Sequence, residues 1–343
     1  DWRSIMNIKS LLLGSAAALV AVSGAQAADA IVAAEPEPME YVRVCDAFGT
    51  GYFYIPGTET CLKIGGEIRV GVNFRDPDFS SATAGDTGSW NSNVRARLVI
   101  EAKNDSELGT IGSYIRIHGF GDNDFGNSSG VVELDQAYIT VGGFKVGHFL
   151  TYLDDVGTAS EGDAFIDDAK FNSISYTYAS DAFTIGLGID DLSPTYLNNN
   201  VGVEGYASAT LGAATVALWG AYDFEAEEGL VVGEVSAAIG PGTFELYAGY
   251  STGASAYVAS APTIGSIEWT VGAAYAFKAT EKLTITPSIN YWEGQGGLDA
   301  WGAGLLGEYQ LAQGLKASAT VDYYDADSAD DRWSGFVRLT RSF

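Results

Sequence analysis

From Cys61 to Phe343 the chain alternates apolar and polar residues in about sixteen short runs separated by turns. In the first run Leu62, Ile64, Ile68, Val70, Val72 and Phe74 occupy every second place, with Gly66 in register, and Lys63, Glu67, Arg69 and Asn73 stand between them. Side chains of a strand point alternately to opposite faces, so each run has one apolar and one wet face. The runs fall near 62–74, 90–103, 110–120, 131–142, 144–149, 171–178, 182–190, 203–211, 214–223, 230–239, 243–251, 266–277, 283–292, 300–310, 315–323 and 332–343. An even number of short alternating runs predicts an all-β fold, an antiparallel transmembrane β-barrel of about 16 strands.

The connections alternate as well. After odd runs come long or polar segments such as 75–89, 191–202 and 252–265, and after even runs come Gly142-Gly143, Gly212-Ala213 and Gly240-Pro241-Gly242. A barrel threaded through a membrane has short turns on one side and long loops on the other, which places both ends of the chain on the periplasmic side. A soluble sandwich would share the alternation, because it too buries one face and wets the other. Aromatic residues near run ends on the apolar face, among them Tyr178, Phe183, Tyr222, Tyr250, Trp269, Trp301, Tyr309 and Trp333, favour lipid, since such rings form belts at membrane interfaces. In lipid every backbone polar group needs an internal partner, so the sheet must close.

The first 27 residues read differently. Met6 and Lys9 precede an apolar stretch from Leu11 to Val22, and Ala25-Gln26-Ala27 has the small-x-small form of a signal-peptide cleavage site. Residues 1–5 stand upstream of Met6, the expected initiator, and residues 1–27 are expected to be removed. Residues 28–60 then form an N-terminal segment ahead of the barrel at 61–343. Export places Cys45 and Cys61 in an oxidising compartment, where they point to a disulfide. Zinc binding, the rival, lacks the neighbouring histidines such a site requires.

Composition narrows function further. A net charge of −26 argues against nucleic acid, which must be met by Lys and Arg. His118 and His148 are the two histidines, and no Ser-His-Asp arrangement accompanies them, so catalysis is not expected and no cofactor is called for. Two acidic stretches, Asp122-Asn123-Asp124 with Gly126, and Asp325, Asp327, Asp330 and Asp331, lack the ligand spacing of a calcium loop and read as solvated loops.

A sixteen-stranded barrel is too wide for side chains to fill. The candidate obstruction is the segment 151–170 after the fifth run, with Asp154, Asp155, Glu161, Asp163, Asp167 and Asp168. Opposite it, Arg69, Arg95, Arg97, Arg116 and Arg338 all fall mid-run on the polar face of neighbouring strands, so that a basic wall would confront an acidic loop at the narrowest point. Charge-lined constrictions set ion selectivity. The alternative is that these arginines pair with Glu67 and Glu101 along the wall. Glu133 and Asp135 break the apolar phase of the fourth run, as a strand covered by protein could.

The whole chain resembles the sixteen-stranded trimeric general porins of Gram-negative outer membranes, and above all the alphaproteobacterial porins. The resemblance rests on Tyr41-Val42-Arg43-Val44-Cys45-Asp46-Ala47-Phe48-Gly49, on the stretch from Gly51 to Gly66, on Leu134-Asp135-Gln136-Ala137-Tyr138-Ile139, on Gly142-Gly143-Phe144-Lys145-Val146-Gly147 and on the terminal Phe343. It implies that the loop at 151–170 folds into the lumen and that the chain is a homotrimer in contact through its first strands and its last. It also implies that Phe343 is a signal read by the outer-membrane assembly machinery. His148 stands where relatives carry Arg, and no role is transferred to it.

Three functions remain open. The first is a water-filled channel for passive diffusion of ions and small hydrophilic solutes, set in lipid and lipopolysaccharide. A sugar-specific channel would need an aromatic track, for which Tyr114, Trp219 and Trp292 are the inward candidates. A structural or adhesive barrel would have a plugged lumen.

Overall fold

The computed structural model describes residues 43–76, 89–121, 132–162, 169–261 and 263–343. The expected leader, residues 28–42 of the segment at 28–60, and the acidic stretch at 122–126 lie outside them. Sixteen long strands follow one another: β1 Cys61–Arg75, β2 Trp90–Ser106, β3 Gly109–Phe120, β4 Val132–Val141, β5 Phe144–Leu150, β6 Lys170–Ala179, β7 Phe183–Asp191 and β8 Val201–Leu211. They continue as β9 Ala214–Asp223, β10 Glu228–Ile239, β11 Gly242–Ser251, β12 Gly265–Lys278, β13 Leu283–Gly294, β14 Asp299–Ala312, β15 Leu315–Ala326 and β16 Ala329–Ser342. Each is antiparallel to the next, and β16 returns to β1 with Ser334 opposite Arg75 and Ser342 opposite Glu67. The sheet is therefore closed and leaves no long edge to find a partner in lipid.

The burial pattern is inverted relative to a soluble fold. On β7, Leu187 and Ile189 are 67% and 57% exposed, whereas Asp190 between Ile189 and Asp191 is 1% exposed. The same holds around the ring: Ile174, Leu218, Leu246, Leu305 and Val337 face outward, while Ser173, Glu204, Thr270, Asn290 and Thr320 are buried within. A sandwich would hide the first set and wet the second, so the outward apolar face requires lipid. Rings cluster at both rims of this apolar band. At the long-loop end Trp269 meets Tyr291 at 4.8 Å, and Trp301, Tyr323 and Trp333 follow at 5.1 and 5.0 Å; at the short-turn end Phe144 meets Tyr176 at 4.7 Å.

The short turns need left-handed backbone, and glycine supplies it: Gly142, Gly212, Gly240 and Gly314 have φ between 58° and 69°. The last hairpin departs from expectation. β15 and β16 extend toward each other until Asp327 and Ser328 alone connect them, so Asp325, Asp330 and Asp331 belong to strands and not to a loop. Their neighbours take up the charges, since Trp301 Nε1 donates to Asp325 (3.1 Å) and the Tyr323 hydroxyl to Asp331 (3.2 Å).

The irregular phase of β4 has a local cause. Arg116 pairs with Gln136 but Ile117 with Leu134, so Asp135 is the extra residue of a β-bulge. Before the bulge Val132 and Leu134 face out, and after it Ile139 does, which leaves Glu133, Asp135 and Gln136 all directed inward. Cover by a neighbouring protein is therefore not needed to explain these carboxylates.

Cys45 and Cys61 are joined by a disulfide that ties the N-terminal segment to the start of β1, where Phe53–Tyr54 also pairs with Cys61 and Leu62. Tyr52 packs beside the bridge and its hydroxyl donates to Glu101 on β2 (2.6 Å). Closing a loop of 16 residues stabilises by about 3 kcal/mol on chain-entropy grounds. Replacing both cysteines with serine is expected to lower the unfolding free energy, read by urea titration in detergent, by that amount.

Candidate pore constriction

Four adjacent strands carry the arginines anticipated from the sequence. Arg69 on β1 lies directly opposite Arg95 on β2, Arg97 is opposite Glu67, and Thr340, two residues along β16 from Arg338, is opposite Arg69. The wall they form is of mixed charge and not purely basic. Glu67 Oε1 sits 2.6 Å from Arg95, 3.6 Å from Arg69 and 4.0 Å from Arg97, so one carboxylate draws three guanidiniums together and offsets their mutual repulsion. Pairing with Glu67, left open by the sequence, is thus realised. Pairing with Glu101 is not: that carboxylate accepts from Tyr52 and lies 3.9 Å from Lys103.

Arg116 on β3 belongs to a second cluster. It pairs with Asp135, the bulge residue, which also receives Lys170 Nζ (2.5 Å) and lies 3.6 Å from His118 Nδ1; His118 in turn contacts Glu133. Asp135 is 3% exposed, and a buried carboxylate of this kind is tolerable because cations meet both of its oxygens.

The segment after β5 runs inward from the wall. It opens with a short 3₁₀ turn, Tyr152–Asp155, whose Tyr152 N–H donates to Glu204 on β8 (2.7 Å) and whose Tyr152 hydroxyl meets Thr177 on β6 (2.6 Å). It then touches strand after strand across the barrel: Ala159 N–H donates to Glu245 on β11 (2.6 Å), Asn290 on β13 donates to the Gly162 carbonyl (3.2 Å), and Glu161 pairs with Arg338 on β16 (3.0 Å). Of the expected acidic residues, Glu161 is brought to one of the expected arginines. Asp154 and Asp155 are exposed on the first turn, away from that pair in sequence, and Asp163, Asp167 and Asp168 lie outside the described residues.

The sequence did not show which partners several residues would find. Asp135 stood out there only for breaking the apolar phase, because the bulge hid its inward direction, and Lys170 lies at the edge of a strand. Glu204 and Glu245 carried a usable signal, since each falls on the polar phase of its run. The aromatic candidates fare differently. Trp219 and Trp292 are 3% and 6% exposed, Trp219 against Tyr206 and Trp292 against Tyr324, and Tyr114 is stacked on Tyr138 at 4.8 Å. Their faces are spent on packing and do not form a continuous track.

Residues 29–338 match the sequence profile of the Porin subfamily. Outer membrane protein IIIA of Rhizobium leguminosarum bv. viciae is 41% identical, with 96% of this chain and 93% of that protein aligned. Porin Omp2a of Brucella suis biovar 1 is 36% identical over 98% of this chain and all of its own length. Among solved structures, the trimer form of OmpT, an outer membrane protein of Vibrio cholerae, superposes with a TM-score of 0.61 at 15% identity, covering 83% of this chain and all of that one. A closed ring with lipid outside and charge within, a profile match along nearly the whole chain and full-length relatives in two genera together place this chain in the Porin subfamily, as a channel-forming β-barrel of the outer membrane.

Proposed function

We propose that the channel is a general diffusion pore for ions and small hydrophilic solutes, and that its narrowest passage is lined by Glu161, where the inward segment meets Arg338, and by Arg69, Arg95, Arg97 and Arg116 along the same wall. The observation that carries this reading is the Glu161 to Arg338 contact at 3.0 Å, which joins the segment after β5 to the wall where the barrel closes. Opposed charges there orient polar solutes and favour or reject ions by sign. Arginine suits the role because it remains charged where water is scarce. No step of bond making is assigned to these residues, and no cofactor is invoked.

The assembly proposed is a homotrimer, supported by the resemblance and by the trimer form of the Vibrio barrel. Phe343 would act as the assembly signal; its backbone is paired with Gly66 in both directions at 3.0 Å, which places the terminus beside β1. Lipid and lipopolysaccharide would surround the outward face. A sugar-specific channel is less well supported, because Trp219 and Trp292 are packed away.

Purified protein in a planar bilayer is expected to conduct in discrete steps of three, with neutral sugars retarded by size and without saturation. Glu161→Gln is expected to lower the cation-to-anion permeability ratio about twofold, from loss of one charge beside the path at water-like dielectric. A silent bilayer would favour the plugged barrel, and saturation by one sugar would favour the specific channel.

A further inference from the structure

The loop joining β11 to β12 also enters the barrel. Tyr257, 1% exposed, donates its hydroxyl to Asp190 on β7 (2.7 Å), and its ring packs edge-on against Phe171 on β6 at 5.7 Å. Phe171 and Asp190 are both on the inward phase of their strands, so the tyrosine lies inside the ring, far in sequence from the wall it touches. Burial and the neighbouring Asp190 push the Tyr257 hydroxyl well above its ordinary pKa, so it remains a donor throughout the working range.

Two further features show that the wall is shaped for this loop. Gly202 on β8 leaves the space Tyr257 occupies, since a Cβ there would stand 2.0 Å from the hydroxyl oxygen. Asp223 on β9, fully buried, accepts the Ala256 N–H (3.0 Å) and also binds Tyr196, Asn200 and the backbone of the turn at 225–226. At its other end the loop reaches β15, where Thr263 Oγ1 meets the Tyr324 hydroxyl at 2.7 Å. Val258 and Ile264 of this loop join Leu153, from the segment after β5, in one apolar cluster that also holds Trp219 and Trp292. Apolar packing of this kind excludes water from the region it fills. It lies on the side of β6 to β15, which leaves the arginine side of β16, β1, β2 and β3 for the aqueous path.

We infer that the loop between β11 and β12 is a second inward-folded element, latched through Tyr257 and Ala256 to Asp190 and Asp223, which sets the cross-section of the channel and confines the path to the arginine wall. This rests on the reading as a diffusion pore. The loop thereby becomes a determinant of solute size, separate from the charge contacts that choose between ions.

The test compares wild type with three variants: deletion of residues 254–259, Tyr257→Ala, and Gly202→Val, which would expel the tyrosine without touching the loop. Each is first checked for native heat-modifiable migration and trimer formation, then recorded in planar bilayers with polyethylene glycols of graded size. The deletion is expected to raise single-channel conductance about twofold, since conductance scales with the open cross-section, and to admit larger polymers. Tyr257→Ala and Gly202→Val are expected to move both readouts in the same direction by less. Should any folded variant match wild type in conductance and polymer cut-off, the loop does not bound the path and the inference falls. Absence of stepwise current from the wild type would instead overturn the pore reading itself, which separates the two failures.

Discussion

Serine in place of Arg69, Arg95 and Arg97 is expected to raise the cation-to-anion permeability ratio about fivefold to tenfold at physiological salt. The three guanidiniums meet on Glu67, so their removal leaves that carboxylate facing the passage without a counter-charge. In water, a unit charge about 8 Å from a passing ion contributes about 0.5 kcal/mol, and one Debye length of screening leaves about 0.2 kcal/mol. Three such losses sum to about 0.6 kcal/mol, gained by cations and lost by anions, which gives the stated ratio. Conductance should rise too, because three long side chains give way to three short ones. The measurement is the zero-current potential across a salt gradient, and an unchanged value would remove the wall from any account of selectivity.

The other large effect concerns folding. Leu305, in the middle of β14 and 53% exposed, is expected to cost about 2–4 kcal/mol when replaced by arginine, because the outward face at mid-barrel contacts hydrocarbon. Ser334, on the inward phase of β16 and exposed to the lumen, should accept the same change within about 1 kcal/mol, as an ordinary solvated site does. Urea titration of refolding into lipid vesicles reads both. Equal costs at the two positions would contradict the assignment of lipid to one face and water to the other.

Much of this architecture was legible because the signal is local. A strand in contact with oil on one side and water on the other must alternate with period two, and all sixteen runs showed it. Where a local rule was interrupted, the reading failed. The bulge at Asp135 looked like a strand with charges on its lipid face, since a one-residue insertion reverses the phase and only the pairing with β3 reveals it. The hairpin at Asp327 looked like an acidic loop, because aspartate disfavours strands and the side chains that donate to its neighbours, Trp301 to Asp325 and Tyr323 to Asp331, stand on adjacent strands.

The arginines illustrate the same boundary. Their inward phase and mid-strand depth followed from alternation alone, as did the proximity of β16 to β1 once closure was required. That Glu67 gathers three of them depends on the register of β1 against β2, which no local preference specifies. The loop carrying Tyr257 shows the limit most plainly: a single tyrosine among Ala, Ser and Val has no periodic signature, and its destination 67 residues away is known only when β7 stands across the lumen. Sequence by itself determined the two-faced strands and their number, because these follow from backbone geometry and solvent. Tertiary structure decided which carboxylate meets which guanidinium and which loops enter the ring, because those contacts are made between residues that only closure of the barrel brings within reach.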